Sequence, residues 1–247
     1  MRTVAVVLAG GSGIRLGGNT PKQLQLLAGR TLLEHCVAAF DAAAGVDEVV
    51  AVMPADFITT SRRILQAGGY RKLSDVIAGG IDRPGSTRRA IEYLSQKHNG
   101  GDQADCNVLF HDAARPLVDQ RIIADCVAAL AGAQAIGVVV PTADTIVQVT
   151  DGVMTSIPPR ESLARCQTPQ GFRLSVIRRA HELAVADPRA DAFTPTDDCG
   201  IVLRYLPDVP VVVVAGSERN LKITYPGDFR IAELLLADRE ADGPDQK

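Results

Sequence analysis

No stretch of this chain carries about 18 consecutive apolar residues, so nothing in it has the length to cross a bilayer as a helix. The apolar part of the opening MRTVAVVLAGG is too short for the core of a secretion signal, and a cytoplasmic protein is the expectation. An excess of one charge is lacking too. The 26 Lys and Arg stand against 29 Asp and Glu, a net −3, so no global field draws the chain to nucleic acid or an anionic membrane. The five scattered cysteines (Cys36, Cys106, Cys126, Cys166, Cys199) contain no C-x-x-C pair, which removes the usual zinc and redox signatures and predicts free buried thiols. No linker, internal repeat or low-complexity tract interrupts 247 residues of which 46% are hydrophobic. That composition predicts one domain over residues 1–238 with a polar, flexible tail at 239–247.

What is present is an alternation. Short β-branched runs (TVAVVLA, EVVAVM, NVLFHD, AIGVVVP) alternate with amphipathic stretches (TLLEHCVAAFDAA, FITTSRRILQ, STRRAIEYLSQK, DQRIIADCVAALAG) up to about Pro141. This is the pattern of βαβ units, and it predicts an α/β fold of Rossmann-like type, a mostly parallel sheet with helices on both faces. Thr31 and Glu34 have the spacing of a capping box at the start of the first helix. Beyond Pro141 the pattern changes. DTIVQV and VMTSIP read as short strands joined at Asp151-Gly152, an inserted β-arm at about 142–160. Two helices, the strand VPVVVVAG, the segment LKIT and a last helix from near Pro226 follow.

The segment LAGGSGIRLGGNTPK, Leu8 to Lys22, directly follows the first strand. A glycine loop between strand and helix presents backbone N–H groups to phosphate oxygens, because glycine allows sharp bends and close approach. Two familiar loops do not fit. No G-x-x-x-x-G-K-[ST] string occurs, and in the dinucleotide pattern begun by Gly11 and Gly13, Leu16 takes the third glycine position. Arg15 and Lys22 flank the loop, and two cations beside a backbone nest suit a polyphosphate better than a neutral ligand. Among the four histidines, His111 adjoins Asp112, but neighbours on a strand point to opposite faces, so His111 is expected to pack rather than catalyse.

The full pattern LAGGSGIRLGGNTPKQ resembles the G-x-G-x-R-[ML]…P-K-Q signature of nucleotidyltransferases that act on sugar or polyol phosphates. GGIDRPGS (79–86), HDAARP (111–116), DTI (144–146), QTPQGF (167–172), TDD (196–198) and NLKIT (220–224) follow in the order of one branch. The chain thus resembles, from about Val4 to Leu236, the cytidylyltransferases of 2-C-methyl-D-erythritol 4-phosphate and ribitol 5-phosphate. The resemblance implies a GT-A-like nucleotidyltransferase fold and transfer of CMP from CTP to a polyol phosphate with release of pyrophosphate. It implies that Arg15, Lys22 and Lys222 are the catalytic cations. Ala9, Gly10, Gly11, Ser12 and Gly13 would wrap the triphosphate; Gly79, Gly80 and Ser86 would read cytosine, with Arg83 packed at the nucleotide. Asp112 would hold the ribose, the acceptor hydroxyls or, through water, a magnesium ion, the expected cofactor. Arg115, Thr145, Arg160, Thr196 and Thr224 would serve the acceptor. The arm crosses to a second subunit in relatives, so a homodimer is expected, since a two-stranded arm alone is marginal in water.

Bland readings exist for several of these residues. GGIDRPGS also reads as a turn with a helix cap at Gly85 or Ser86, Asp112 and Arg115 as a local ion pair, and Lys222 as an exposed strand lysine. For the acceptor, LAGG and Val147 look more like the ribitol branch, whereas HDAARP and family numbers favour methylerythritol phosphate, which is the preferred reading. A non-catalytic nucleotide-binding module on the same fold is the alternative of another class; the presence of all three cations argues against it. A dinucleotide oxidoreductase lacks its last fingerprint glycine.

Overall fold

In a computed structural model, residues 1–10, 20–98, 105–188 and 197–241 are described, residues 240 and 241 by their backbone alone. Arg15, Gly11, Ser12, Gly13 and Thr196 lie outside the described residues.

The elements in chain order are β1 (Thr3–Leu8), β2 (Leu26–Leu27), β3 (Arg30–Thr31), α1 (Leu32–Ala42), β4 (Glu48–Met53), α2 (Ile58–Ala67), β5 (Leu73–Ala78), α3 (Arg83–His98) and β6 (Asn107–Asp112). The second half contributes α4 (Gln120–Ala129), β7 (Ala135–Pro141), β8 (Gln148–Thr150), β9 (Val153–Ser156), β10 (Ala164–Arg173), α5 (Leu174–Ala186), α6 (Asp198–Tyr205), β11 (Val211–Ala215) and α7 (Pro226–Ala241). Seven strands form one sheet in the order β11-β7-β10-β6-β1-β4-β5. Pairing is parallel except at β10, which runs antiparallel to both β6 and β7.

The alternating faces of β1 show why the sheet needs helices on both sides. Ala5 and Val7 pack with Leu33, Val37 and Phe40 of α1 and Ile122 and Cys126 of α4. Val4, Val6 and Leu8 pack with Ile91 and Leu94 of α3 and Ile177 of α5. A strand covered on both faces has no polar side, hence the unbroken apolar run of β1. The capping box is present: Thr31 Oγ1 accepts from the Glu34 N–H at 3.1 Å, and Glu34 accepts from the Thr31 N–H at 2.8 Å. The arm is also present as the β8–β9 hairpin, with Asp151 and Gly152 at positive φ (50° and 77°) in its turn.

Two features depart from expectation. QTPQGF, for which no strand was expected, is the heart of β10, an interior strand of the sheet. Four residue steps of β10, Cys166 to Gln170, oppose two steps of β7, Val139 to Gly137, so the intervening residues bulge. The bulge accommodates Pro169, which a regular central strand rejects for want of an N–H. The thiols are free, but Cys166 is exposed while the other four are buried, because it lies where that bulge leaves the sheet.

Candidate active site

Strands β1, β4, β5 and β6 run parallel, so the segments that follow them collect at one edge of the sheet. The chain proceeds from β1 outward through β4 to β5 and then returns to β6 on the other side of β1. Such a switch point opens a crevice at the carboxyl ends of the strands.

One half of that crevice is built from small residues. Ala9 continues β1, its N–H donating to the Val52 carbonyl at 2.8 Å. A Cβ on Gly10 would stand 2.4 Å from Ser86 Oγ, and one on Gly79 would stand 2.8 Å from the same oxygen and 3.4 Å from Gly10 Cα. Gly80 has no more room: its Cβ would meet the Gly85 backbone at 2.5 Å. Three separate segments therefore touch through their backbones, and only glycine permits that approach. Ser86 is buried; its hydroxyl donates to the Asp82 carbonyl at 2.9 Å and accepts from the Gly80 N–H at 3.2 Å. The helix cap is not Gly85 or Ser86. Helix α3 begins at Arg83, and the Asp82 carboxylate accepts from the Gly85 N–H at 2.6 Å, the reach of an N-cap side chain to the third helical residue.

The other half is charged. A cavity of about 190 Å³ is lined by Arg83, Asp112, Arg115 and Lys222 together with the β10 bulge and Asp197. Asp112 ends β6, and its two carboxylate oxygens take different cations: Oδ1 accepts from Arg83 Nε at 3.1 Å and Oδ2 from Lys222 Nζ at 2.8 Å. Burial alone would raise the Asp112 carboxyl, but the Arg83 and Lys222 charges outweigh it and hold the group well below the usual carboxylate range. Arg83 also donates from Nη1 to Asp198 Oδ2 at 2.8 Å. Its own burial is outweighed by Asp198 and Asp112, which push it above the ordinary guanidinium value. Arg115 donates to the Asn220 carbonyl at 2.8 Å, and burial lowers its pKa. Arg83 Nη2 and Arg115 Nε are buried with no partner among the described residues. Neither a local Asp112–Arg115 ion pair nor a strand lysine at 222 describes the site: Asp112 pairs across the fold, and Lys222 lies on an irregular segment.

The remaining site residues fall in three places. Lys22 reaches the same corner, its ammonium donating to the Ile223 carbonyl, next to Lys222. Thr224 is tied into the start of α7: its N–H donates to Asp228 Oδ2 at 2.7 Å and its hydroxyl to the Lys222 carbonyl at 3.3 Å. Thr145 and Arg160 meet each other on the exposed base of the arm, Arg160 Nη2 donating to Thr145 Oγ1 at 2.9 Å, and neither lines the cavity.

Sequence reasoning assigned no role to Gln167, Thr168, Gln170, Asp197 or Asp198, although it singled out the motifs that contain them. Gln167 is buried; its Nε2 donates to the Ser217 carbonyl at 2.8 Å and its Oε1 accepts from Asn220 Nδ2 at 3.2 Å, which anchors 217–220. Gln170 accepts from the Asp198 N–H at 3.0 Å and donates to Asp197 Oδ2 at 2.8 Å, docking α6 against the bulge. Asp197 caps α6, leaving Asp198 to hold Arg83. The available signal was the Asp-Asp pair, since one acid suffices for a cap. Among the described residues no cluster of three or more His, Cys, Asp or Glu gathers to hold a metal. Asp112 and Asp197 are the carboxylates that line the cavity, the small number a magnesium ion needs when most of its ligands are phosphate oxygens and water.

Glycine-packed segments beside a cation-lined cavity suit nucleotidyl transfer, and the comparison with known proteins agrees with it. The family profile described as IspD, 2-C-methyl-D-erythritol 4-phosphate cytidylyltransferase, matches residues 3–238. The chain belongs to this family. It is a cytidylyltransferase, an enzyme that transfers a nucleotidyl group. A relative named 2-C-methyl-D-erythritol 4-phosphate cytidylyltransferase from Thermobifida fusca (strain YX) is 50% identical, the match covering 95% of this chain and 93% of that one. The bifunctional ribulose 5-phosphate reductase/CDP-ribitol pyrophosphorylase Bcs1 of Haemophilus influenzae is 35% identical over 96% of this chain and 49% of its own length. The solved structure of 4-diphosphocytidyl-2C-methyl-D-erythritol synthase from Anaerococcus prevotii DSM 20548 superposes with a TM-score of 0.80 at 25% identity, covering 96% of each chain. No described helix is long and apolar enough to cross a membrane.

Proposed function

We propose that the protein transfers CMP from CTP to 2-C-methyl-D-erythritol 4-phosphate, giving the CDP-polyol and pyrophosphate. The observation that carries the reading is the Asp112 carboxylate poised between Lys222 and Arg83 in the cavity beside Gly10, Gly79 and Ser86. The half-identical Thermobifida relative named for this acceptor supports it.

In this mechanism an oxygen of the acceptor phosphate attacks the α-phosphorus of CTP in line. One P–O bond forms, the bond from the α-phosphorus to the bridging oxygen breaks, and the electron pair leaves with pyrophosphate. The acceptor phosphate is substantially dianionic at neutral pH, its second pKa being near 6, so no side chain has to remove a proton. The protein supplies position and positive charge. Lys22 and Lys222, with Arg15, offset the charge that builds on the phosphoryl oxygens. Asp112 holds Lys222 and Arg83 at a fixed separation before substrate arrives, and Arg83 Nη2 and Arg115 Nε, buried without a partner among the described residues, would be donors to a phosphate that reached them. Gly79, Gly80 and Ser86 would read the edge of the cytosine. Asp112 would hold, through water, a magnesium ion brought by the triphosphate, which would supply further charge neutralisation.

The acceptor phosphate would also meet Arg160, Thr145 and Thr196. Thr145 and Arg160 lie off the cavity, and the arm exposes Ile146, Val149, Val153, Met154 and Ile157, which supports a homodimer in which each arm completes the partner's site. D-ribitol 5-phosphate is the second reading, favoured by Val147 and by the Haemophilus relative. Pyrophosphate release from CTP and magnesium, measured in parallel with both polyol phosphates, separates them. Preference for ribitol phosphate would overturn the methylerythritol assignment, and release with neither would overturn both.

A further inference from the structure

Behind the cavity, a buried imidazole bridges the end of β6 and the bulge of β10. His111 is fully buried, with its ring edge toward Phe40 at 5.2 Å between centroids. Its Nε2 lies 3.0 Å from the Arg115 carbonyl oxygen, and its Nδ1 lies 3.0 Å from Thr168 Oγ1. The same Thr168 oxygen accepts from the Asp112 N–H at 3.1 Å. The chemistry of the groups sets every direction in this chain. A carbonyl can only accept, so Nε2 carries the proton; Nδ1 of a neutral ring can then only accept, so the Thr168 hydroxyl donates to it. Thr168 keeps its lone pairs for the Asp112 amide.

We propose that His111 is a positioning residue: as the Nε2–H imidazole it ties the backbone of Asp112, through Thr168, to the backbone of Arg115, so that the carboxylate holding Lys222 and the acceptor-side guanidinium are set as one unit. This role rests on the cytidylyltransferase reading of the cavity. It differs from packing, because an apolar residue of similar volume would fill the space and lose the alignment, and from proton transfer, because the ring touches no reacting atom.

Two measurements on the full chain test it. Long-range 1H–15N spectra at neutral pH, with the resonance assigned by its loss in His111→Leu, read the tautomer without any substrate. The Nε2–H form is expected, and an Nδ1–H or doubly protonated ring overturns the hydrogen-bond chain. Steady-state kinetics then read the consequence. His111→Leu and Thr168→Val are each expected to lower kcat about tenfold and raise the acceptor KM several-fold, with the CTP KM within about twofold of wild type, while Thr168→Ser restores wild-type values. A lower melting temperature with kcat and both KM values unchanged in both variants overturns the positioning role. A wild-type protein that turns over neither polyol phosphate refutes the functional reading instead, and the tautomer result still decides the chain of bonds.

Discussion

The two ends of β1 each face a buried carboxylate, and the two are put to opposite uses. At the amino end, Glu48 opens β4 opposite Val4; at the carboxyl end, Asp112 closes β6 opposite Leu8, about 13 Å farther along the strand. Glu48 accepts from Arg2 at 2.5 Å, from Lys97 at 2.6 Å and from the Ser74 hydroxyl at 2.6 Å. Asp112 accepts from Arg83 and Lys222. In both, burial raises the carboxyl and the neighbouring cations more than reverse it. Burial, charge pairs and a depressed pKa are therefore common to a structural clamp and a candidate catalytic group. What separates them is position: the carboxyl ends of parallel strands open into a crevice, and the cations of Asp112 line its cavity, whereas those of Glu48 do not line that cavity.

The sharpest way to break this comparison is to remove cations from each end. Lys222→Ala, and separately Lys22→Ala, should lower kcat by roughly 100-fold or more, with CTP affinity changed only a few-fold, if their charge acts mainly on the transition state. Lys97→Ala should leave kcat and both KM values unchanged. Steady-state kinetics on the three variants decide the matter, and normal turnover in either Lys22→Ala or Lys222→Ala removes that lysine from the mechanism.

Substituting the carboxylates gives the next largest effect and splits stability from activity. Glu48→Gln should cost about 2 kcal/mol, less than a fully enclosed pair because Arg2 and Lys97 stay partly in water, and should leave kinetics alone. Asp112→Asn should lower kcat about tenfold or more through the misplaced Lys222 and Arg83. Urea unfolding and kinetics on both variants test the contrast, and a kinetic defect in Glu48→Gln would show that the two ends are coupled.

The same contrast has a pH signature. A carboxyl whose folded pKa is depressed stabilises the fold above its unfolded value and ceases to do so as pH falls through the folded one. Glu48 should therefore contribute stability above about pH 4.5, its ordinary value, and lose it progressively below. The urea midpoint of wild type should fall more steeply between about pH 5 and 3 than that of Glu48→Gln. Parallel curves would mean that Glu48 is not stabilised by its partners.

How much of this was legible depended on the range of the interactions. The parallel sheet, the capping box and the arm turn rest on neighbours a few residues apart and were readable. The glycine pocket was readable as a motif, but its cap was misplaced, because Asp82 was not weighed as the N-cap. β10 was missed as a strand because Pro169, two glutamines and Gly171 carry no strand pattern, and only a bulge between two partner strands makes room for them. Asp198 was missed because its partner, Arg83, lies 115 residues away in the chain. The Thr145 and Arg160 assignments came from motif resemblance alone; nothing in local pattern brings together two residues 15 apart across a hairpin.

That pair yields the smallest expected effect. Arg160 is exposed, and its side-chain partner among the described residues, Thr145, is a neutral hydroxyl on the same arm, so Arg160→Ala should hardly change the melting temperature. If the arm completes the acceptor site of a second copy, the variant should raise the acceptor KM several-fold and leave the CTP KM within about twofold, because the glycine pocket is built elsewhere. A mixed dimer sharpens the point. Combining Arg160→Ala chains with Lys222→Ala chains places both defects in one site and leaves the other intact if arms are exchanged, so part of the activity should return. No recovery on mixing, in a sample shown by mass to contain hybrid dimers, would mean that each arm serves its own chain.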